Sequence, residues 1–366
     1  MQLTPTERQR YARHLILPQL GEEGQLKLKA AKVLVIGAGG LGSPLLQYLA
    51  AAGVGTIGIV DPDRVSHSNL QRQIIYGESD LGELKVEAAR KRILDLNPHV
   101  NIVTHPVYFS RENAMDLLAN YDVVADGTDN FPTRYLVNDA CLLSGKPYVY
   151  GSIFRFEGQV SVFNGIQKDG SRGPNYRHLY PSPPPPDQVP NCAEGGVLGV
   201  LPGIIGSMQA NEVIKLITGI GDPLVGRLLL FDAAYFTQRV LRIPAGAPIE
   251  IKELIDYEQF CGLPAREAIP TIDAATYKLM KTENRTYSLL DVRSAKEFQQ
   301  DNLDGQLIPL DQLLAGDIDN LPDTRPLIVH CHSGARSTRA VHYLLEQGLT
   351  QVYNLEGGIL AVRAID

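Results

Sequence analysis

No Cys-x-x-Cys pair occurs anywhere in the 366 residues, and the four cysteines, Cys141, Cys192, Cys261 and Cys331, stand far apart. That scatter excludes a disulfide framework and a zinc ribbon, and leaves each cysteine as either a buried small hydrophobe or a reactive thiol of a reducing compartment. A surplus of positive charge is also missing. Thirty-four Lys and Arg against 41 Asp and Glu give a net charge of −7, which argues against a nucleic-acid partner. No apolar run reaches the ~20 residues needed to cross a bilayer, and residues 197–208, the longest, are interrupted by Gly and Pro. Residues 1–7 form neither a secretory leader nor an Arg-rich import signal, so a cytoplasmic protein without a membrane partner is expected. With 44% hydrophobic and 20% charged residues and no repeat, the composition is that of a folded chain whose length suggests two domains.

The strongest local pattern begins at residues 32–36, Lys-Val-Leu-Val-Ile, a short apolar run suited to a buried parallel strand. A glycine-rich turn, Gly37 to Gly42, follows at once. Residues 43–52 read as a helix ended by Gly53, and 56–60 as a strand stopping at Asp61. Residues 84–96 read as a helix, 101–105 and 121–125 as strands. This alternation predicts an α/β, doubly wound, Rossmann-like sheet. An antiparallel extension is expected from 158–164, a helix over 204–218, and one or two strands over 227–242. The Pro-, Ser- and Gly-rich residues 170–191 are expected to form an extended loop without helix. Prolines at 244 and 248 mark a linker over 243–270, placing domains at 1–242 and 271–366. The second domain shows its own smaller α/β pattern, with strands over 287–292, 327–330 and 351–355 and helices over 295–299 and 337–347.

Gly37, Gly39 and Gly42 form G-x-G-x-x-G between a strand and a helix, where backbone N–H groups and the helix dipole meet phosphate. Asp61, ending the next strand, is placed to hold a ribose hydroxyl. Taken alone, this fingerprint fits a dehydrogenase-type dinucleotide site. Asp63, Asn69, Arg72, Gln73, Lys85 and Asp129 add more charge than a pyrophosphate bridge requires. A triphosphate with Mg²⁺ suits them better: Arg72 and Lys85 neutralise charge developing on an α-phosphate under attack, and Asp129 holds the metal. Each of these residues, taken singly, also fits a surface ion pair. Cys192, after the proline loop and before a helix, stands where a thiol can be activated and meet an acyl-adenylate.

Arg10 to His14, the glycine loop with Gly40, Val60 to Asp63, the run Ser68-Asn69-Leu70-Gln71-Arg72-Gln73, the segment around Lys85, and Asp126 to Asn130 together resemble the MoeB/ThiF family of ubiquitin-activating-like adenylyltransferases. The resemblance spans about residues 5–242. It implies that ATP and Mg²⁺ adenylate the C-terminal glycine of a ubiquitin-fold sulfur-carrier protein with a Gly-Gly tail. By the same resemblance Asp61 contacts the ribose, Asn69, Arg72 and Lys85 the phosphates, and Asp129 the metal. A homodimer is implied, in which Arg13 reaches the ATP of the other protomer, together with a thioester or mixed linkage between Cys192 and the carrier. Related enzymes hold a structural zinc with two Cys-x-x-Cys pairs. Asn175 and His178 occupy the places of the first pair here, and 243–262 lack the second, so a zinc site is expected to be absent.

In the second domain, Cys331-His332-Ser333-Gly334-Ala335-Arg336 follows a strand and leads into a helix. Successive N–H groups in such a loop converge on an anion, so Cys331 is expected to act as a thiolate. A persulfide carrier and a phosphatase both use such a loop, but a phosphatase needs the wider Cys-x5-Arg, and this chain has Cys-x4-Arg. With Leu290 to Arg293, Glu297-Phe298 and Leu355 to Ile359, the loop resembles a single-domain rhodanese over about residues 271–366. The expected function is therefore adenylation of a sulfur carrier, followed by transfer of a persulfide sulfur from Cys331 to give a C-terminal thiocarboxylate. A cysteine desulfurase or thiosulfate would load Cys331. The alternatives are an activating enzyme for protein conjugation through a Cys192 thioester, a NAD-dependent oxidoreductase and a catalytically silent scaffold.

Overall fold

The computed structural model describes residues 2–184, 196–244, 246, 249–262, 269–316, 318 and 320–365. The chain divides into two compact units, residues 1–263 and 264–366. No helix among the described residues is long and apolar enough to cross a membrane.

The larger unit is built on eight strands: β1 (Lys32–Ile36), β2 (Thr56–Val60), β3 (Asn101–His105), β4 (Val123–Asp126), β5 (Tyr148–Phe154), β6 (Glu157–Phe163), β7 (Arg227–Asp232) and β8 (Thr237–Arg242). Their order is β3-β2-β1-β4-β5-β6-β7-β8. Neighbours are parallel from β3 through β5 and antiparallel from β5 onward. The apolar run of β1 is continuous because both faces are covered. Val33 and Val35 pack with Leu45 and Leu49 of helix Gly42–Ala52, while Leu34 and Ile36 pack with Val124 and Leu136 on the other face. Strand order reverses between β1 and β4. Ile36 pairs with both Val60 and Asp126, so the ends of β1, β2 and β4 lie level, leaving the crevice in which doubly wound folds bind ligands.

Helix Phe131–Ser144 and strand β5, which the sequence patterns above do not predict, complete this half. The helix carried its own signals: Asn130 accepts the Thr133 N–H at 3.0 Å, a proline sits in the first turn, and Gly145 ends it at φ +67°. The expectation of a helix-free loop over 170–191 is corrected by one helical turn, Tyr176–Leu179. Asn175 caps it by accepting the Arg177 N–H at 2.9 Å, and the Asn175 N–H donates to His178 Nδ1 at 3.2 Å. A cap supplied locally outweighs the surrounding proline content.

The segment expected as a linker is packed over its described first part. Ile243, Tyr257 and Cys261 are buried in the core that holds Tyr135 and Tyr176, so the larger unit extends beyond residue 242. Its clasp is Asp139. That carboxylate accepts from Arg177 Nε and Nη2 at 2.9 and 2.7 Å and from the Tyr257 hydroxyl at 2.8 Å. The Arg177 guanidinium lies over the Tyr135 and Phe260 rings.

The smaller unit has a parallel five-stranded sheet made of β9 (Thr271–Ile272), β10 (Ser288–Asp291), β11 (Gln306–Leu307), β12 (Leu327–His330) and β13 (Val352–Leu355), ordered β11-β10-β12-β13-β9. Leu290 and Val329 face one core, Leu289 and Ile328 the other, as the two-residue period of strands requires.

Removing the Asp139 carboxylate leaves a buried guanidinium without its counter-charge. Asp139→Ala should destabilise the larger unit by about 3–5 kcal/mol. Denaturant unfolding of the full chain, followed by tyrosine near-UV circular dichroism, measures it.

Candidate nucleotide and sulfur sites

The glycine turn sits where β1 ends against β4. Gly37 takes φ +91°, and a methyl on Gly42 would stand 2.2 Å from the Gly37 carbonyl oxygen, one on Gly127 2.7 Å from it. Only glycine permits this crossing. Asp61, at the end of β2, is buried, and its two oxygens accept the N–H groups of Ala38 at 2.8 Å and Asp63 at 2.9 Å. It therefore ties the glycine turn to the 61–63 turn. Burial pushes its carboxyl above the ordinary range, against the pull of the Lys85 charge and the Ala38 N–H.

Lys85, buried at the start of helix Lys85–Leu96, pairs with the exposed Asp63 at 2.8 Å. Gln73 is buried beside Gly39, and its Oε1 has no hydrogen-bond partner among the described residues. The Arg72 stem lies against Gly40, and its Nη1 donates to the Ser68 carbonyl at 3.2 Å. Asn69 accepts the Ser66 N–H, Leu70 packs on the core, and Gln71 lies against Gly199. On the far side of Gly127, Asp129 and Asn130 are exposed. The loop that carries them is held by Asp126, which accepts the Tyr148 hydroxyl at 2.6 Å and the Thr128 N–H at 2.8 Å. Gln209 donates to the Asp126 carbonyl and Arg134 to the Thr128 carbonyl.

Tyr76, Tyr148, Arg134 and Gln209 were not singled out from sequence. Only Arg134 carried a signal, standing four residues past the helix cap Asn130. Arg13 is not brought to this edge. Its helix, Ala12–Leu15, packs through His14 onto Gln25, whose amide donates to the Ala52 carbonyl. Ala52 is the far end of the helix that starts at the glycine turn, roughly 16 Å along its axis. Cys192 lies outside the described residues.

Of the other cysteines, Cys141 and Cys261 are packed in the core, and burial pushes the Cys261 thiol up to about 11 and Cys141 higher still. Among the described residues, no cluster of three His, Cys, Asp or Glu side chains could hold a metal ion.

Cys331 follows β12 and is 1% exposed. The Gly334 N–H points at its sulfur from 3.2 Å and the Ser337 hydroxyl from 3.5 Å. Its carbonyl accepts the Ile359 N–H at 2.9 Å, and a methyl on Gly358 would lie 2.5 Å from that oxygen. His332 and Ser333 are exposed at the mouth of the loop. Arg336 is committed to Glu297 through two bonds of 2.9 and 2.6 Å.

Residues 11–248 match the ThiF family, and residues 273–364 match the Rhodanese-like domain. The chain is 49% identical to the Probable adenylyltransferase/sulfurtransferase MoeZ of Mycobacterium tuberculosis, over 98% of this chain and 93% of that protein. It is 53% identical to the Sulfur carrier protein adenylyltransferase of Thermus thermophilus, over 72% of this chain and 100% of that protein. It is 43% identical to the Adenylyltransferase and sulfurtransferase MOCS3 of Mus musculus, over 96% of this chain and 84% of that protein. The crystal structure of Escherichia coli MccB aligns with a TM-score of 0.59 at 19% identity, covering 69% of this chain and 75% of that one, a likeness of fold alone.

The Arg336 hydrogen bonds hold the Glu297 carboxyl well below the ordinary carboxylate range. A carboxyl lowered by folding adds stability above its unfolded value of about 4.3 and loses it as pH falls further. Opening of the smaller unit, read as alkylation of Cys331 by mass spectrometry, should be faster in Glu297→Gln than in the wild-type chain near neutral pH. The gap between the two rates should narrow as pH falls below about 4.3 and close only at the strongly lowered folded-state value, well below pH 3.

Proposed function

The chain belongs to the ThiF family, its smaller unit being a rhodanese-like domain, and on that premise we propose that it adenylates a ubiquitin-fold sulfur carrier and then delivers sulfur to it. The chain is an adenylyltransferase and a sulfurtransferase. The reading is carried by one observation: a crevice in which the Gly39 and Gly40 amides have no acceptor among the described residues, with Lys85 and Arg72 beside it, in the same polypeptide as a cysteine whose sulfur receives an amide and a hydroxyl.

A carboxylate is inert toward sulfur nucleophiles, so activation comes first. The C-terminal carboxylate of the carrier attacks the α-phosphorus of ATP, the bond to the β-phosphate oxygen breaks, and pyrophosphate leaves. The amides of Gly39 and Gly40 cradle phosphate, while Arg72 and Lys85 face the charge that builds during attack. Asn69 joins them, Asp61 takes the ribose, and Ser68, Leu70, Gln71, Gln73 and Asn130 line the remainder. Asp129 would hold the Mg²⁺ that accompanies ATP. A single exposed carboxylate fits that ion, which keeps most of its ligands from water and phosphate, and its charge offsets that of the phosphates.

In the second stage a persulfide donor, a desulfurase or thiosulfate, loads Cys331. The terminal sulfur attacks the acyl carbon and AMP leaves, giving an acyl disulfide. A second thiol, Cys192 or an external one, then takes Cys331 into a disulfide and releases the thiocarboxylate. Alternatively, Cys192 first accepts the acyl group as a thioester. Joining the two sites in one chain raises the effective concentration of one at the other.

The far position of Arg13 supports a homodimer in which it completes the partner's site. Wild-type protein should catalyse exchange of pyrophosphate into ATP with a Gly-Gly carrier, and absence of exchange with every carrier of the same genome would refute adenylation. Cys331→Ala should retain exchange but lose the carrier's mass gain of about 16 Da that marks oxygen replaced by sulfur. Arg13→Ala and Arg72→Ala, each inactive alone, should regain about one quarter of wild-type exchange when mixed and allowed to re-pair, because half the dimers are mixed and each has one intact site.

A further inference from the structure

We infer that Tyr76 is a positioning residue that aims the glycine-turn amides at the nucleotide's phosphates, an inference that rests on the proposed use of ATP at this turn. Tyr76 is buried, and its hydroxyl donates to the Ala38 carbonyl at 2.8 Å. A trans peptide is planar, with its C=O and N–H directed oppositely. Drawing the Ala38 carbonyl toward Tyr76 therefore turns the Gly39 N–H the other way. The next peptide repeats the device: the Gly39 carbonyl accepts the Ser43 N–H at 2.9 Å and the Ser43 hydroxyl at 2.8 Å, which turns the Gly40 N–H outward.

Neither the Gly39 nor the Gly40 N–H finds an acceptor among the described residues. Two free donors side by side at the head of helix Gly42–Ala52 make an anion cradle. The Ala38 N–H is held separately by Asp61 at 2.8 Å, so both ends of this residue are fixed and the turn cannot rotate its peptide planes without breaking a buried hydrogen bond. Tyr76 is a dependable donor. Burial, with Asp61, Asp63 and Asp80 nearby, keeps the phenol protonated far above its ordinary range.

Tyr76→Phe in the full-length protein keeps the ring and removes only the hydroxyl. Equilibrium dialysis should show ATP bound about five- to tenfold more weakly, the scale of one lost hydrogen bond, while adenosine, which has no phosphate, binds within about twofold of wild type. In pyrophosphate exchange the KM for ATP should rise by the same factor, with kcat and the KM for the carrier unchanged. A purely structural role would reduce the folded fraction, and hence kcat, without moving the ratio of ATP to adenosine affinity. An unchanged ratio, or equal weakening of both ligands, overturns the inference. Failure of the wild-type protein to bind ATP would overturn the nucleotide reading itself, and this inference with it.

Discussion

The site depends on one steric constraint, the contact between the Gly37 carbonyl and the backbones of Gly42 and Gly127. Any Cβ at the last two positions would fall within 2.7 Å of that oxygen, closer than non-bonded atoms come. The contact exists because β1, β2 and β4 end in register, with Ile36 level with Val60 and Asp126. From it follow the direction of helix Gly42–Ala52, the exposure of the loop after Asp126, and the nearness of Asp61 to the turn. The surrounding hydrogen bonds, accepted by Asp61 and donated by Tyr76, fix peptide planes in a turn whose path is already set by packing.

The smaller unit solves a similar problem with different atoms. Cys331 also ends a central parallel strand and leads into a helix, and here too a glycine lets a second segment cross. Gly358 lies against the Cys331 carbonyl, so that the segment after β13 closes over the reactive loop. One difference separates the two sites. At the glycine turn the two amides find no acceptor among the described residues, whereas at Cys331 a backbone amide and a hydroxyl already point at the sulfur. The first arrangement suits an anion that arrives and leaves, the second an atom that stays on the protein.

The strands and the glycine turn were legible in the sequence because they are local. Residues 33–36 and 57–60 carry no polar side chain, and such runs need cover on both faces. Lys85 and Asp63, 22 residues apart, could be grouped by chemical type, but their ion pair could not be foreseen. Tyr76 gave no signal, because a tyrosine that follows two isoleucines reads as core until the fold brings Ala38 to its hydroxyl. Gln209 and Tyr148 converge on Asp126 from 83 and 22 residues away, separations that no periodicity encodes. The packing of residues 257–261 onto the larger unit was hidden for a related reason. Prolines at 244 and 248 read in the sequence as a break in regular structure, and such a reading does not imply a break in packing. Tyr257 reaches Asp139 across 118 residues.

That last contact shows what holds a segment almost devoid of regular structure. A four-residue helix, Tyr257–Phe260, cannot sustain itself in water, since one turn fixes too many dihedrals for too few hydrogen bonds. It persists because Tyr257 and Cys261 are inserted into the core and Asp139 anchors the tyrosine hydroxyl. Asp139 would be costly to bury alone. Arg177 supplies the counter-charge, and the Tyr135 and Phe260 rings stack on the guanidinium, which is less strongly hydrated than an ammonium. The cap at Asn175 and His178 in turn sets the backbone direction of Arg177. Asn175 and His178 thus orient an arginine, and through it an ion pair ties residues 257–261 to helix Phe131–Ser144.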